Sequence, residues 1–494
     1  MNQTRQSSVR HSHSRALQTE QAERPALICV DLDGTLIHTD MVAEALVAAL
    51  RKNPLLLFVL PFWIMRGRAY FKEKIARCSQ VNAALLPYNT ELLEYLENRK
   101  KEGASLWLTT AAHKSHAEAV SSHCGLFENV LASDGSTNLK GKSKLLAIKD
   151  RLGDEPFLYA GDSRADLAVW RASAGAITVG APQTITTALD NEGVAVVARF
   201  SNRRSIWTTW LKALRIHQWS KNTLIFVPML LAHEVQVSRI LTALFAFFSF
   251  SLCASAFYLL NDLLDLEVDR AHPRKRNRPL ASGALSIRAG VCALVALTTA
   301  VIASACLLPS GARWLLAVYA LLNLSYSVGL KQVLCLDVIV LAFLYTLRIL
   351  FGGLATSITV SIWTLAFSVF IFLGLALLKR LTELKVAGDS GAGHIGRRPY
   401  VAADTSVLQG FTSAALYISV VVLALYLNSQ DVLKLYAHSE PLWFVCLALT
   451  FWVSRMLILT NRGSMTDDPI VFAFRDRSSQ IVAVLIVLCI VLAL

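Results

Sequence analysis

Two groups of carboxylates in this chain have spacings that suit phosphate chemistry. The first runs from Asp31 and Asp33, in Asp31-Leu32-Asp33-Gly34-Thr35-Leu36, through Thr109-Thr110 and Lys144 to Gly161-Asp162-Ser163 and Asp166. Asp31 and Asp162 can share one hard divalent cation through oxygen ligands. Such a cation neutralises a phosphate, so that anionic Asp31 can attack it and form an aspartyl-phosphate. Asp33 is placed to protonate the leaving oxygen and later to activate water. Thr110 can hydrogen-bond the phosphate and Lys144 can balance its charge. Asp166 can brace the cation site or ligate directly. The candidate cation residues here are Asp31, Asp33, Asp162 and Asp166. Thr109 is the alternative to Thr110, and Lys140 and Lys142 are alternatives to Lys144.

The second group is Asn261-Asp262-Leu-Leu-Asp265-Leu-Glu-Val-Asp269-Arg270. Asp262, Asp265 and Asp269 fall at i, i+3 and i+7, on one side of a helix, with Asn261 near that face. Three carboxylates at a membrane boundary repel each other and are costly to bury. They become favourable when magnesium ions bridge them to a diphosphate. The cations that follow, from Arg274-Lys275-Arg276 to Arg278, can clamp the remaining phosphate oxygens. An ordinary solvated charged loop would not need the acidic stripe before it.

The elements that must position these groups differ between the two parts. Residues 26–30, 105–108 and 157–160 are short apolar runs separated by helical patterns, and each ends in one of the polar clusters. Strands alternating with helices predict a parallel sheet, whose ligands bind at the carboxyl ends of the strands. The later chain instead consists of long apolar runs broken by basic loops, the pattern of transmembrane helices. Nine candidate spans are expected, at about 222–233, 239–260, 288–308, 312–329, 333–353, 358–378, 408–427, 440–460 and 478–494. The first is short and contains Pro228.

The net charge of +13 goes with 54% apolar residues. Because the cations cluster between apolar runs, they are read as membrane loops under the positive-inside rule, and nucleic acid is not expected as a partner. That rule puts the N-terminal domain and the basic loops on the cytoplasmic side. The nine cysteines include no C-x-x-C pair and read as small buried side chains. Residues 1–25 are polar, lack the apolar core of a secretory signal and are expected to be disordered.

The ordered motifs D-x-D-G-T-L, T, K and G-D-x-x-x-D resemble the haloacid dehalogenase (HAD) superfamily over residues 26–195. The resemblance implies a Rossmannoid α/β domain with a helical cap at about 40–100. That cap region holds Pro54-Leu-Leu-Leu-Phe-Val-Leu-Pro-Phe-Trp-Ile-Met65, too short to span a bilayer and followed by Arg66, Arg68, Lys72 and Lys74. It reads equally as a buried cap core or as an interfacial helix that takes a lipid-linked substrate.

After a basic linker at 196–221, residues 222–494 resemble the UbiA superfamily of intramembrane prenyltransferases. The likeness rests on N-D-x-x-D-x-x-x-D followed by R-P-x-x-S-G, and implies an all-α membrane domain with Asp262 and Asp265 in the catalytic centre. The usual second D-x-x-x-D is missing; the corresponding loop reads Lys379-Arg380-Leu-Thr-Glu383, then Arg397-Arg398. This departure agrees better with the decaprenyl-phosphate phosphoribosyltransferase branch. That branch also looks like this chain at Gln218-Trp219-Ser-Lys221-Asn222, at Asn323-Leu-Ser-Tyr326 and at Asp467-Asp468-Pro469. The resemblance implies Mg2+, phosphoribosyl pyrophosphate as donor and a polyprenyl phosphate as acceptor. Asp262, Asp265 and Asp269 would hold the metal. Asn261, Lys275, Arg278, Tyr326, Lys379 and Arg380 would bind substrate, Lys221 would position the lipid phosphate, and Glu383 would serve as a metal or ribose ligand. A bifunctional enzyme of the bacterial inner membrane follows, its HAD domain removing the 5-phosphate of the lipid-linked product. The competing readings are a prenyltransferase using a prenyl diphosphate, and a membrane-anchored HAD phosphatase. A homo-oligomer is left open.

Overall fold

A computed structural model describes residues 27–134, 137–201, 205–389, 399–465 and 468–494. The expected disorder of residues 1–25, and the motif residues Arg397, Arg398 and Asp467, lie outside the described residues. The chain divides into two compact units, 1–214 with 258–294, and 215–257 with 295–494.

The first unit is built on a six-stranded parallel sheet, of order β3-β2-β1-β4-β5-β6. Its strands are β1 (Leu27–Val30), β2 (Ser105–His113), β3 (Asn129–Ser133), β4 (Phe157–Gly161), β5 (Gly175–Val179) and β6 (Val196–Phe200). The central strands are buried on both faces, as a parallel sheet covered by helices requires. Val30 pairs with both Leu108 and Ala160, so Asp31, Thr109 and Gly161 follow at one level of the sheet, while β2 itself runs on to His113. The sheet extends past the expected boundary at 195. Residues 196–200 hydrogen-bond to β5 as the sixth strand and are not linker.

Four helices follow β1: α1 (Met41–Lys52), α2 (Leu56–Met65), α3 (Arg68–Cys78) and α4 (Thr90–Lys101). The others of this region are α5 (Lys114–Cys124), α6 (Lys142–Leu152), α7 (Leu167–Trp170), α8 (Gln183–Asn191) and α9 (Ile206–Ala213). In α2 only Leu60 is buried, packed with half-buried Trp63, so the apolar cap segment is not a buried core.

The apolar part has α10 (Val227–Leu231), α11 (Val237–Leu264), α12 (Leu266–Ala271), α13 (Ile287–Leu307), α14 (Ser310–Val328), α15 (Leu336–Thr356) and α16 (Ile362–Asp389). It ends with α17 (Thr405–Leu427), α18 (Gln430–Leu435), α19 (Leu442–Asn461), α20 (Pro469–Arg475) and α21 (Arg477–Ala493). Among the described residues, six helices (α11, α13, α15, α16, α17 and α19) are long and apolar enough to span a membrane. The α20–α21 pair, bent by 82°, makes a seventh if it is one span. By length and composition the described residues thus give six or seven spans against the nine expected. Residues 216–226 form a 3-10 helix and α10 has only five residues, with Pro228 in its first turn. The nineteen-residue α14 interrupts its apolar run with Arg313, Asn323 and three serines. The bend before α21 is fixed by Asp476, which accepts from Ser479 N and pairs with Arg455 at 2.6 and 2.9 Å. All nine cysteines are free.

Candidate functional site

At the carboxyl edge of the sheet, Asp31 follows β1 directly. Its N–H donates to the Ala160 carbonyl, which aligns it with β4, and its Oδ1 accepts from Leu32 N at 2.8 Å. Lys144 in the first turn of α6 places Nζ 2.9 Å from Asp31 Oδ1 and 3.7 Å from Asp166 Oδ1. One carboxylate oxygen from each of Asp31, Asp162 and Asp166 lies within 4.8 Å of the other two, the one such triad among the described residues. Three carboxylates against one ammonium leave net negative charge, and an all-oxygen donor set fits a hard cation such as magnesium. Gly34 has φ +75° and packs so closely on Asp162 that a Cβ there would collide with its carboxylate.

Burial raises the carboxyl pKa values at this edge. Burial pushes Asp31 up to about 6 against the pull of Lys144. Burial, with Asp40 and Asp31 nearby, pushes Asp33 up to about 8. Burial, together with the Asp166 and Asp31 charges, takes Asp162 to about 7. Burial by itself would lower Lys144, but Asp31 and Asp166 more than offset it and keep the ammonium charged. Asp33 stands apart from the triad, and its Oδ1 accepts from Met41 N at 2.8 Å.

The two threonines of β2 have different tasks. Thr109 Oγ1 donates to the Val30 carbonyl, so it ties β2 to β1. Thr110 Oγ1 accepts from Ala112 N at 3.0 Å, which leaves its own hydroxyl proton for a phosphate. Lys140 and Lys142 are absent from the Asp31 contacts, whereas Lys144 is 3% exposed among them.

Two residues here were missed in the sequence. Tyr159 Oη accepts from Lys144 Nζ at 2.8 Å and donates to Asp166 Oδ1 at 2.8 Å, so it orients both. Lys72 of α3 donates to Ala111 O at 2.6 Å and Asn138 Oδ1 at 2.9 Å, carrying a cap cation to the end of β2. The only signal for Tyr159 was a hydroxyl two residues before Gly161 in an otherwise apolar strand.

The second acidic group also lies in the first unit. α11 ends at Leu264, Asp265 sits at the break, and α12 resumes at Leu266. Asp262 and Asp269 are 3% and 2% exposed and meet on one guanidinium nitrogen, Arg278 Nη1, at 3.1 and 2.5 Å. Asp265 is half-buried and accepts from Asp269 N through its backbone carbonyl. Thus Asp262 and Asp269 are brought together, and Asp265 is not part of that bridge. Two buried carboxylates converging on one cation is an arrangement that also fits a metal ion. Burial raises the Asp269 pKa even though Arg278 opposes it. Lys275 is exposed on the following 3-10 turn, and Asn261 is half-buried one residue before Asp262.

The second unit gathers the remaining candidates. Lys379 Nζ lies 2.6 Å from Asp468 Oδ2, and Lys221 Nζ lies 4.0 Å from the same oxygen. Burial pushes the Asp468 pKa up, but the two lysines outweigh it and hold the carboxyl below its ordinary value. Lys221 also stands 5.8 Å from the Tyr345 ring and lines a cavity of about 400 Å³. The other walls are largely apolar, with Phe372, Trp452, Phe474 and Ile486. Arg380 is fully buried, bound to Asp337 Oδ2 at 2.7 Å, to Glu383 Oε2 at 2.8 Å and to Tyr326 Oη at 3.5 Å. Its charge is spent inside the protein, so it anchors Tyr326 and Glu383 and leaves no face for a phosphate.

A model of the UbiA prenyltransferase family matches residues 223–475, and one of haloacid dehalogenase-like hydrolases matches 28–171. The chain is 38% identical to the uncharacterized protein y4nM of Sinorhizobium fredii, over 95% of this chain and 91% of that one. It is 35% identical to nodulation protein NoeC of Azorhizobium caulinodans, over 55% of this chain and 89% of that one. It is 30% identical to decaprenyl-phosphate phosphoribosyltransferase of Mycobacterium tuberculosis, over 55% and 90%. Among solved structures, a UbiA homolog from Archaeoglobus fulgidus bound to GPP and Mg2+ overlaps 57% of this chain and 97% of its own, at 14% identity and TM-score 0.39. A phosphoserine phosphatase overlaps 37% and 95%, at 13% identity and TM-score 0.26.

Proposed function

Since this chain belongs to the UbiA prenyltransferase family and carries a haloacid dehalogenase-like hydrolase domain ahead of it, we propose that it is a two-step membrane enzyme acting on a lipid phosphate. In the first step a polyprenyl phosphate oxygen attacks the anomeric carbon of phosphoribosyl pyrophosphate. The bond from that carbon to the pyrophosphate oxygen breaks, and pyrophosphate leaves. In the second, the HAD domain hydrolyses the 5-phosphate of the lipid-linked product.

The observation that carries this reading is Lys221 on the wall of a largely apolar cavity. One cation beside a hydrocarbon-lined space suits an acceptor with an anionic head and an apolar tail. A phosphate monoester is already anionic near neutral pH, so no strong general base is required. Similarity to the mycobacterial phosphoribosyltransferase along 90% of that protein supports the donor. Asp262 and Asp269 would hold magnesium, which supplies charge neutralisation for the leaving pyrophosphate. Arg278 and Lys275 add positive charge for the same oxygens, and Asn261 contributes polar contacts. Arg380 keeps Glu383 and Tyr326 in place for the ribose.

For the phosphatase step, Asp31, Asp162 and Asp166 would hold the cation, with charge neutralisation again its contribution. The Asp31 carboxylate attacks phosphorus, the ribose oxygen leaves with a proton from Asp33, and Asp33 then takes a proton from the water that cleaves the acyl phosphate. A pKa near 8 keeps Asp33 protonated for the first half of that sequence. Thr110 and Lys144 bind the phosphate oxygens. The basic loops and the positive-inside rule support a cytoplasmic phosphatase domain on an inner membrane.

A second reading, prenyl transfer to an aromatic or other acceptor, is favoured by the family match itself. Purified enzyme with magnesium and polyprenyl phosphate, given either labelled phosphoribosyl pyrophosphate or a labelled prenyl diphosphate, separates the two. Label entering the lipid from the ribosyl donor is the expected result, and label entering only from the prenyl donor would replace the first reading with the second.

A further inference from the structure

The cap helix α2 is apolar and open on most of its surface. Leu57, Phe58, Phe62 and Met65 are 59–84% exposed, while Leu60 is buried and Leu56 and Trp63 are half-buried. Leu60 and Trp63 pack with Leu46 and Leu50 of α1 and Phe71 of α3, so the helix is held in place from one side only. Lys52 and Arg66, both exposed, flank it. Ten residues cannot cross a bilayer, but an apolar face between cations is suited to the boundary between headgroups and acyl chains.

A second observation says which surface covers it. Arg51, near the end of α1, places Nη1 2.6 Å from Glu267 Oε2. Glu267 lies three residues beyond Leu264, the last residue of the spanning helix α11. Arg270, three residues further, binds Glu44 on the same helix α1 with both side chains almost fully buried. The start of α2 follows Arg51 by five residues, which reach at most roughly 18 Å. The open apolar helix therefore begins beside the end of a membrane span. On its other side α3 sends Lys72 to the end of β2, next to Thr110.

We propose that α2 seats the cap in the bilayer that holds the chain's own spans, so that the phosphatase site receives a phosphate monoester carried on a lipid at that surface. The second clause rests on the phosphatase reading of Asp31; the first stands on the geometry of α2 alone. The short tether between Arg51 and Glu267 brings α2 to the lipid, and the connection through α3 brings the active-site edge with it.

The test uses the full-length protein in nanodiscs of phosphatidylethanolamine and phosphatidylglycerol. A photoreactive benzoylphenylalanine is placed at Phe58, at Phe62 or, as the control, at Leu146, which is 68% exposed on α6. Phospholipid adducts at 58 and 62 but not at 146 are expected. No lipid adduct at 58 or 62, or adducts that join two copies of the chain, would overturn the seating. In parallel, the double variant F58E/F62E is compared with wild type on p-nitrophenyl phosphate and on a synthetic polyprenyl-phosphoryl ribose 5-phosphate in the same nanodiscs. Its rate on the soluble ester should stay at the wild-type value, while its rate on the lipid falls by about tenfold or more, because surface concentration is lost. Unchanged lipid hydrolysis would sink the delivery role. A wild-type protein that hydrolyses neither ester would instead remove the phosphatase reading, with the adduct pattern still deciding the seating.

Discussion

The Arg270 guanidinium and the Glu44 carboxylate meet through two hydrogen bonds, 2.9 and 2.6 Å long, across 226 residues of sequence. Each side chain is about 5% exposed, and Glu44 is further fixed by Thr39 Oγ1 at 2.7 Å. Arg270 directly follows Asp269, and Glu44 lies in the first turn of the helix that begins beside Asp33. This pair therefore joins the cap helix to the acidic turn after α11.

Removing one partner strands the other as a buried charge, which costs about 3–5 kcal/mol. Glu44→Ala is expected to lower the thermal midpoint of the purified protein in detergent. Glu44→Met combined with Arg270→Leu should recover most of that loss. A single variant as stable as wild type would mean that the pair is solvated.

The phosphatase assignment predicts a separation of products. Asp31→Asn should still make the lipid-linked ribose but leave its 5-phosphate in place, because the nucleophile is lost and the transferase residues are untouched. Mass spectrometry of the lipid fraction reads this directly. Dephosphorylated product at the wild-type level in that variant contradicts the assignment.

Lys221 is expected to act on the acceptor. Loss of a charge-assisted contact is worth about 1.5–3 kcal/mol, so Lys221→Ala should raise KM for polyprenyl phosphate by roughly tenfold to a hundredfold. KM for the diphosphate donor should move much less. Equal effects on both substrates would assign Lys221 a purely structural task.

The raised carboxyl values make a prediction about pH. In the folded chain Asp31, Asp162 and Asp33 titrate near 6, 7 and 8, against an ordinary value of 3.8. Between about pH 4 and 8 the folded state thus holds protons that the unfolded state has released, and stability falls as pH rises. Magnesium competes with those protons. With chelator present the thermal midpoint should fall from pH 5 to pH 8, and added magnesium should raise it more at pH 8 than at pH 5. A magnesium effect that is larger at pH 5 would contradict the cation site.

Several features were legible in the residues alone. Asp31, Thr110 and Asp162 could be placed together because apolar runs ending in polar clusters mark the carboxyl side of a parallel sheet, and the ends of the runs at Val30, Leu108 and Ala160 do lie in one register, although β2 continues to His113. The membrane part was legible because long apolar runs have no other stable home. The span count was less so: the turn at 216–226, the five-residue α10 and the polar residues of α14 shorten or interrupt runs that an apolar average joins together.

What tertiary structure alone decided is how charges are spent. The sequence presents Arg278 and Arg380 as equivalent cations beside phosphate motifs. Folding buries Arg380 between Asp337 and Glu383, whereas Arg278 bridges Asp262 and Asp269 from a partly open position. Tyr159 becomes the link between Lys144 and Asp166, and α2 is left with its apolar face outward. Local pattern encodes which face of an element is apolar and what stands at its end, since both follow from helix and strand periods. Which charge neutralises which depends on partners such as Glu44 and Arg270, far apart along the chain, and only packing brings them within hydrogen-bonding distance.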